Sequence, residues 1–107
     1  MSANLTDDPA LTRFRTALGE LYGERLERVV LYGPRARGDF RADSDYDIAV
    51  FIENPGALGA ELHRLAEVET DILVEIGAVI NALPFPAGAY RDRTGFMLAL
   101  REDGLDL

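Results

Sequence analysis

The 107-residue sequence predicts an α/β domain: a small central mixed sheet flanked by helices, in the order α-β-(turn)-β-α-β-α. Three observations carry this. Two apolar runs of strand length, residues 26–32 and 46–52, are separated by Gly/Pro punctuation. Apolar residues recur at threes and fours before the first run and after the second, which is helical spacing. Helical and extended patterns alternate along the chain instead of segregating, as they do when helices pack on a sheet.

The elements follow in order. Residues 1–8 read as a flexible leader to one domain spanning 1–107. Asp8-Pro9 is a helix start, with Asp8 as N-cap and Pro9 in the first turn, and Leu11, Phe14, Leu18 and Leu21 form its apolar stripe up to Gly23. Leu26 to Tyr32 is the first strand. Gly33-Pro34 breaks it, and Arg35-Ala36-Arg37 makes a short helical turn before Gly38. In the second strand, Tyr46, Ile48, Val50 and Ile52 share one face, while Asp45, Asp47, Ala49 and Phe51 share the other. Beyond its carboxylates this strand is apolar on both faces, so it is expected to be central and covered on each side. Asn54-Pro55-Gly56 is a turn. The longest helix runs from Leu58 to Gly77, with Leu58, Leu62, Leu65, Ile72 and Ile76 on its expected buried side. Ala78 to Phe85 is a third strand, which Pro84 assigns to an edge. A last helix is expected over 87–101, ending at Gly104.

The charge balance limits the function. Net charge is −8, with 19 acidic residues against 11 basic ones. That argues against broad nucleic-acid binding, which needs many cations against phosphates, and suits a basic protein partner. Every basic residue is Arg, so lysine catalysis and a Walker-type phosphate loop are excluded. There is no cysteine, hence no disulfide framework and no thiolate chemistry. No apolar run has the length of a membrane span, and the acidic start is unlike a signal peptide, so a cytoplasmic location is expected. His63, the sole histidine, is expected at an exposed or boundary position of the long helix.

The dense carboxylate cluster is Asp39, Asp43, Asp45 and Asp47. On a strand, Asp45 and Asp47 lie on one face roughly 6–7 Å apart. Their repulsion is about 2–3 kcal/mol at an effective dielectric near 20, which favours a cation between them. Asp43-x-Asp45-x-Asp47 copies the first ligands of a calcium-binding EF-hand, but Ile48 and Asn54 hold the positions of its Gly and Glu, so that reading fails. A magnesium site for phosphoryl or nucleotidyl transfer is the alternative, because Mg²⁺ takes one or two carboxylates plus substrate phosphates. In it Gly33 lets the backbone approach a triphosphate, Ser44 donates a hydrogen bond, and Arg35 or Arg37 balances phosphate charge. The competing reading is a plain turn at Gly33 and a solvated acidic loop.

Gly33-Pro34-Arg35-Ala36-Arg37-Gly38 followed by Ser44-Asp45-Tyr46-Asp47 resembles the minimal nucleotidyltransferase family, relatives of the polymerase-β-like nucleotidyltransferases. The family pattern is Gly-Ser, ten residues, then Asp-x-Asp, and ten residues separate Pro34 from Asp45. The resemblance implies the polymerase-β-like fold and a Mg²⁺-dependent transfer of a nucleoside monophosphate from ATP. Asp45 and Asp47 would then be the catalytic, metal-binding pair, and Gly33, Pro34, Arg37 and Ser44 would line the nucleotide. It also implies a partner: many small members resemble antitoxins that bind, and in some cases adenylylate, a helical HEPN-type toxin, and oligomers are possible. Two departures stand out. Pro34 replaces the family serine, and aligning residues 77–81 with the family's next strand puts Val79 where a third carboxylate is usual.

Overall fold

The structure, a computed structural model, describes residues 7–107. Helix α1 (Pro9–Tyr22) leads through a short 3₁₀ turn into strand β1 (Leu26–Tyr32). A four-residue helix, α2 (Pro34–Arg37), and a loop connect it to β2 (Tyr46–Ile52). Helix α3 (Leu58–Ile76), β3 (Ile80–Pro86), α4 (Gly95–Asp103) and a two-residue β4 (Leu105–Asp106) complete the chain. The sheet order is β3-β2-β1-β4. β1 pairs antiparallel with β2 and β4, and β2 pairs parallel with β3, so the sheet is mixed as expected.

The expected leader lies outside the described residues for positions 1–6. Asp8, at its end, instead caps α1: its Oδ1 accepts from the amides of Ala10 at 2.9 Å and Leu11 at 3.2 Å, and Pro9 sits in the first turn. These bonds satisfy donors that a helix start otherwise leaves open. Leu11, Phe14 and Leu18 are buried, but Leu21 is 38% exposed and Tyr22 replaces it in the core.

β2 is central, and both its faces are covered. Tyr46, Ile48, Val50 and Ile52 pack with Val29 and Leu31 of β1 under α1 and α3. Ala49 and Phe51 pack with Val30 of β1, Met97 and Leu100 of α4, and the partly buried Tyr32, Phe85 and Tyr90. Asp47 begins this second face, with the exposed Asp45 just before the strand.

Helix α3 differs from its expected orientation. Leu65 and Ile72 are buried, whereas Leu58, Leu62 and Ile76 are between 40 and 64% exposed. The buried line runs through Glu61, Leu65, Val68 and Ile72. The helix lies over the edge strand β3, so the flank carrying Leu58, Leu62 and Ile76 extends past the last strand. Glu61 is admitted to the core because its carboxylate is fully partnered. It accepts from the Tyr22 hydroxyl at 2.9 Å, the Gly56 amide at 2.7 Å and Arg64 Nη1 at 3.1 Å. Burial pushes its pKa up, yet these hydrogen bonds and the Arg64 charge outweigh burial, and the net shift is downward. Gly77, at φ +83°, ends the helix in the left-handed conformation favoured there.

β3 is an edge strand, as Pro84 indicated. Its Ala82 amide points away from β2 to Glu69 Oε2 of α3, at 2.8 Å. Pro84 and Pro86 recur at the same parity and offer no N–H, which blocks pairing with another strand. The helix expected over 87–101 is divided into a 3₁₀ segment (Ala87–Arg91) and α4, whose N-cap Thr94 accepts from the Met97 amide at 3.1 Å. β4 has no counterpart in the sequence reading; it is too short to show a periodicity.

Candidate active site at the open end of the sheet

The site is built where β1 ends and β2 begins. Antiparallel register sets Tyr32, the last residue of β1, opposite Asp47. Gly33 then turns the chain back over that carboxylate with φ +75° and ψ −158°, a region essentially restricted to glycine. A Cβ on Gly33 would lie 2.7 Å from Asp47 Oδ2. The close approach and the backbone angle therefore each demand glycine. Pro34 occupies the first turn of α2, where its fixed φ and missing N–H suit the helix.

Asp45 is exposed and Asp47 half-buried. Burial holds the Asp47 carboxyl above the usual carboxylate range, a nearby Asn81 donor opposes this, and the Asp45 charge adds to it. Asn81 was absent from the sequence reading. Parallel register places it level with Asp47, and its Nδ2 donates to Asp45 Oδ2 at 3.0 Å. The residue of β3 that meets the carboxylates is thus Asn81, not Val79. Val79 precedes the strand, where its carbonyl accepts from the Tyr46 amide at 2.9 Å. The alignment of residues 77–81 therefore points two residues short of the position that strand pairing selects. Glu75, on α3, is engaged by Arg13 Nε at 3.2 Å.

The loop before β2 is folded around Arg35. Its guanidinium lies 3.8 Å from the Tyr46 ring centroid and 4.7 Å from that of Phe40. Its Nε donates to the Ser44 carbonyl at 2.9 Å and its Nη2 to the Ala42 carbonyl at 3.1 Å. These contacts build the loop around Arg35. Ser44 Oγ accepts from the Arg41 amide at 2.9 Å, which leaves its own hydrogen free to donate. Arg37 ends α2, exposed, with its Nε 3.7 Å from Asp39 Oδ2. Tyr46 donates to Asp8 Oδ2 at 2.8 Å, and burial followed by that bond pushes its pKa to about 12.

A groove of about 450 Å³ runs beside this loop, lined among others by Asp8, Arg35, Asp43, Ser44, Tyr46 and Val79. Neither Asp45 nor Asp47 lines it; they open to solvent on the other face of β2. Beside them Tyr32 and Phe96 meet edge-to-face at 5.3 Å, and Phe96 reaches Phe85 at 5.6 Å. His63 lies elsewhere, exposed on α3, with Nε2 3.1 Å from Glu67.

Two carboxylates on one face are hard oxygen donors of the kind Mg²⁺ takes, and the Gly33 turn leaves room above Asp47 that a side chain would fill. Among the described residues no group of three His, Cys, Asp or Glu forms a preformed cage. A cation here would complete its shell with phosphates or water. No helix among the described residues is long and apolar enough to cross a membrane.

Comparison with known proteins identifies the family and the fold. The profile of the nucleotidyltransferase domain family matches residues 11–91. A candidate protein adenylyltransferase of Methanocaldococcus jannaschii is 29% identical over 79 residues, covering 74% of this chain and 73% of that protein. A crystal structure of a toxin-antitoxin with AMP-PNP superimposes with a TM-score of 0.64 at 16% identity, over 89% of this chain and 69% of its own. A candidate nucleotidyltransferase from Sulfolobus solfataricus gives a TM-score of 0.58 at 17% identity, over 98% and 87% respectively. At these identities the two structures speak for the fold.

Proposed function

The chain belongs to the nucleotidyltransferase domain family, and we propose that it transfers the AMP moiety of ATP to a hydroxyl of a partner protein. Asp45 and Asp47 are the residues that would hold Mg²⁺, and the partner in this reading is a helical HEPN-type toxin, for which the chain acts as antitoxin in the cytoplasm. The observation that carries it is the Gly33 backbone lying over Asp47. A side chain there would crowd the Asp47 carboxylate, at an end of the sheet where the carboxylates meet solvent, and this supports the reading. The adenylyltransferase relative and the fold shared with a toxin-antitoxin structure support the acceptor class.

In the reaction, the acceptor oxygen forms a bond to the α-phosphorus of ATP while the bond from that phosphorus to the bridging oxygen breaks. Pyrophosphate leaves, and the acceptor proton passes to solvent. When bound, Mg²⁺ supplies positive charge that offsets the charge gathering on the phosphates. Arg37 and, from the groove side of the loop, Ser44 Oγ–H would be the side chains offered to the phosphates, and Gly33 would admit them to the backbone. Purified protein, partner, labelled ATP and Mg²⁺ test this directly. Transfer to the partner is expected from the wild type and lost in the Asp45→Ala/Asp47→Ala double variant; equal labelling by both overturns it.

A second reading is favoured by Pro34, which offers no N–H to a phosphate, and by Asn81, which cannot take up a proton. Here the domain neutralises its toxin by binding alone, helped by its charge of −8. Full neutralisation by the folded double variant supports this reading, and loss of neutralisation excludes it.

A further inference from the structure

We infer that Asn81 is a positioning residue for the carboxylate pair, holding Asp45 in the orientation in which it can share a cation with Asp47; this rests on the reading of that pair as a cation site. The two acids are held very differently. Asp47 belongs to β2, faces Tyr32 across the ladder and packs under Gly33. Asp45 precedes the strand and is exposed, and among the described residues its side chain is fixed by the Asn81 amide at 3.0 Å. Asn81 is itself on a rigid element. It is level with Asp47 in the β2–β3 register, and the next residue, Ala82, is tied to α3 through Glu69. A carboxamide suits the task because it donates to Asp45, beside the neighbouring Asp47, without adding a third charge to the pair.

Positioning and simple screening predict opposite signs. If the amide only relieved repulsion in the free protein, its removal would leave the carboxylates more eager for a cation, and binding would tighten. If it pre-orients Asp45, its removal frees a side chain that must be ordered again on binding. Freeing one side chain weakens affinity by about three- to tenfold. Direct ligation by the Asn81 oxygen is a third possibility. It differs from positioning because its effect would survive the loss of Asp45.

The test is a Mn²⁺ titration of the full chain followed by electron paramagnetic resonance. It compares the wild type, Asn81→Ala, Asn81→Leu, Asp45→Ala and the Asn81→Ala/Asp45→Ala pair, with circular dichroism to confirm folding. The leucine variant keeps side-chain bulk on the strand and removes the donor. Positioning predicts a three- to tenfold loss in Asn81→Ala and Asn81→Leu, and no further loss when Asn81→Ala is added to Asp45→Ala. Unchanged or tighter binding in the two single Asn81 variants overturns it, as does a loss that persists without Asp45. A wild type whose Mn²⁺ binding is indifferent to Asp45→Ala and Asp47→Ala overturns the cation-site reading itself, and the inference with it.

Discussion

Replacing Gly33 by alanine tests the construction of the site at its tightest point. Two separable costs follow from the structure. At φ +75° and ψ −158° an L-residue is strained by about 1–3 kcal/mol wherever its side chain points. The added methyl would also stand 2.7 Å from Asp47 Oδ2, so the carboxylate must retreat by about 0.7 Å to reach ordinary contact. Displacements near 1 Å in a reacting constellation can cost about a hundredfold in rate, so a loss of about tenfold or more in AMP transfer is expected. Urea unfolding of Gly33→Ala in wild-type and Asp47→Ala backgrounds separates the terms. The backbone strain remains in both, whereas the steric contact disappears with the Asp47 carboxylate. A destabilisation below about 0.5 kcal/mol in the wild-type background would refute the strain argument. An equal cost in both backgrounds would refute the claim that Asp47 is what the turn must avoid.

Glu61→Ala leaves the buried Tyr22 hydroxyl without its acceptor and frees the Gly56 amide, and should destabilise the protein by about 1–3 kcal/mol, read from chemical denaturation. The pKa of Glu61 is lowered by folding from 4.5, so its contribution is present above that pH and lost as pH falls through the lower folded value. The stability gap between wild type and Glu61→Gln should accordingly narrow on acidification below pH 4.5; a gap independent of pH there would contradict the assigned shift. Arg35→Lys removes the planar fork that joins the Phe40 and Tyr46 rings to the Ala42 and Ser44 carbonyls. A loss of about 1–3 kcal/mol and faster hydrogen exchange in the 41–45 loop are expected. Unchanged exchange would show that the loop does not depend on this residue.

Much of this architecture was legible because local rules and tertiary demands coincide. Asp8-Pro9 announces a helix start since the same atoms that favour it in isolation cap it in the fold. The faces of β2 were readable because a strand covered on both sides has to be apolar on both, and Asp45 and Asp47 interrupt that pattern only at its open end. Where one chemical pattern admits two environments, the sequence does not choose between them. Arg35 has the charge for a phosphate, but only the folded loop shows that rings and carbonyls already engage it. Glu61 would pass for a solvated helix residue until Tyr22, thirty-nine positions away, meets it in the core.

The sequence by itself determined most of the elements, the central strand and the carboxylate pair, since periodicity and turn chemistry act over a few neighbouring residues; it did not show β4 or the division of the last helix. Only tertiary structure decided which flank of α3 lies beyond the sheet edge, and that Asn81 rather than Val79 stands beside the acids. Both depend on how distant segments align, and strand register is fixed by packing across the sheet rather than by either strand alone. The Asp-x-Asp spacing marked the position of the site. The parallel pairing of β2 with β3 supplied its third side chain, and the Gly33 turn set its depth.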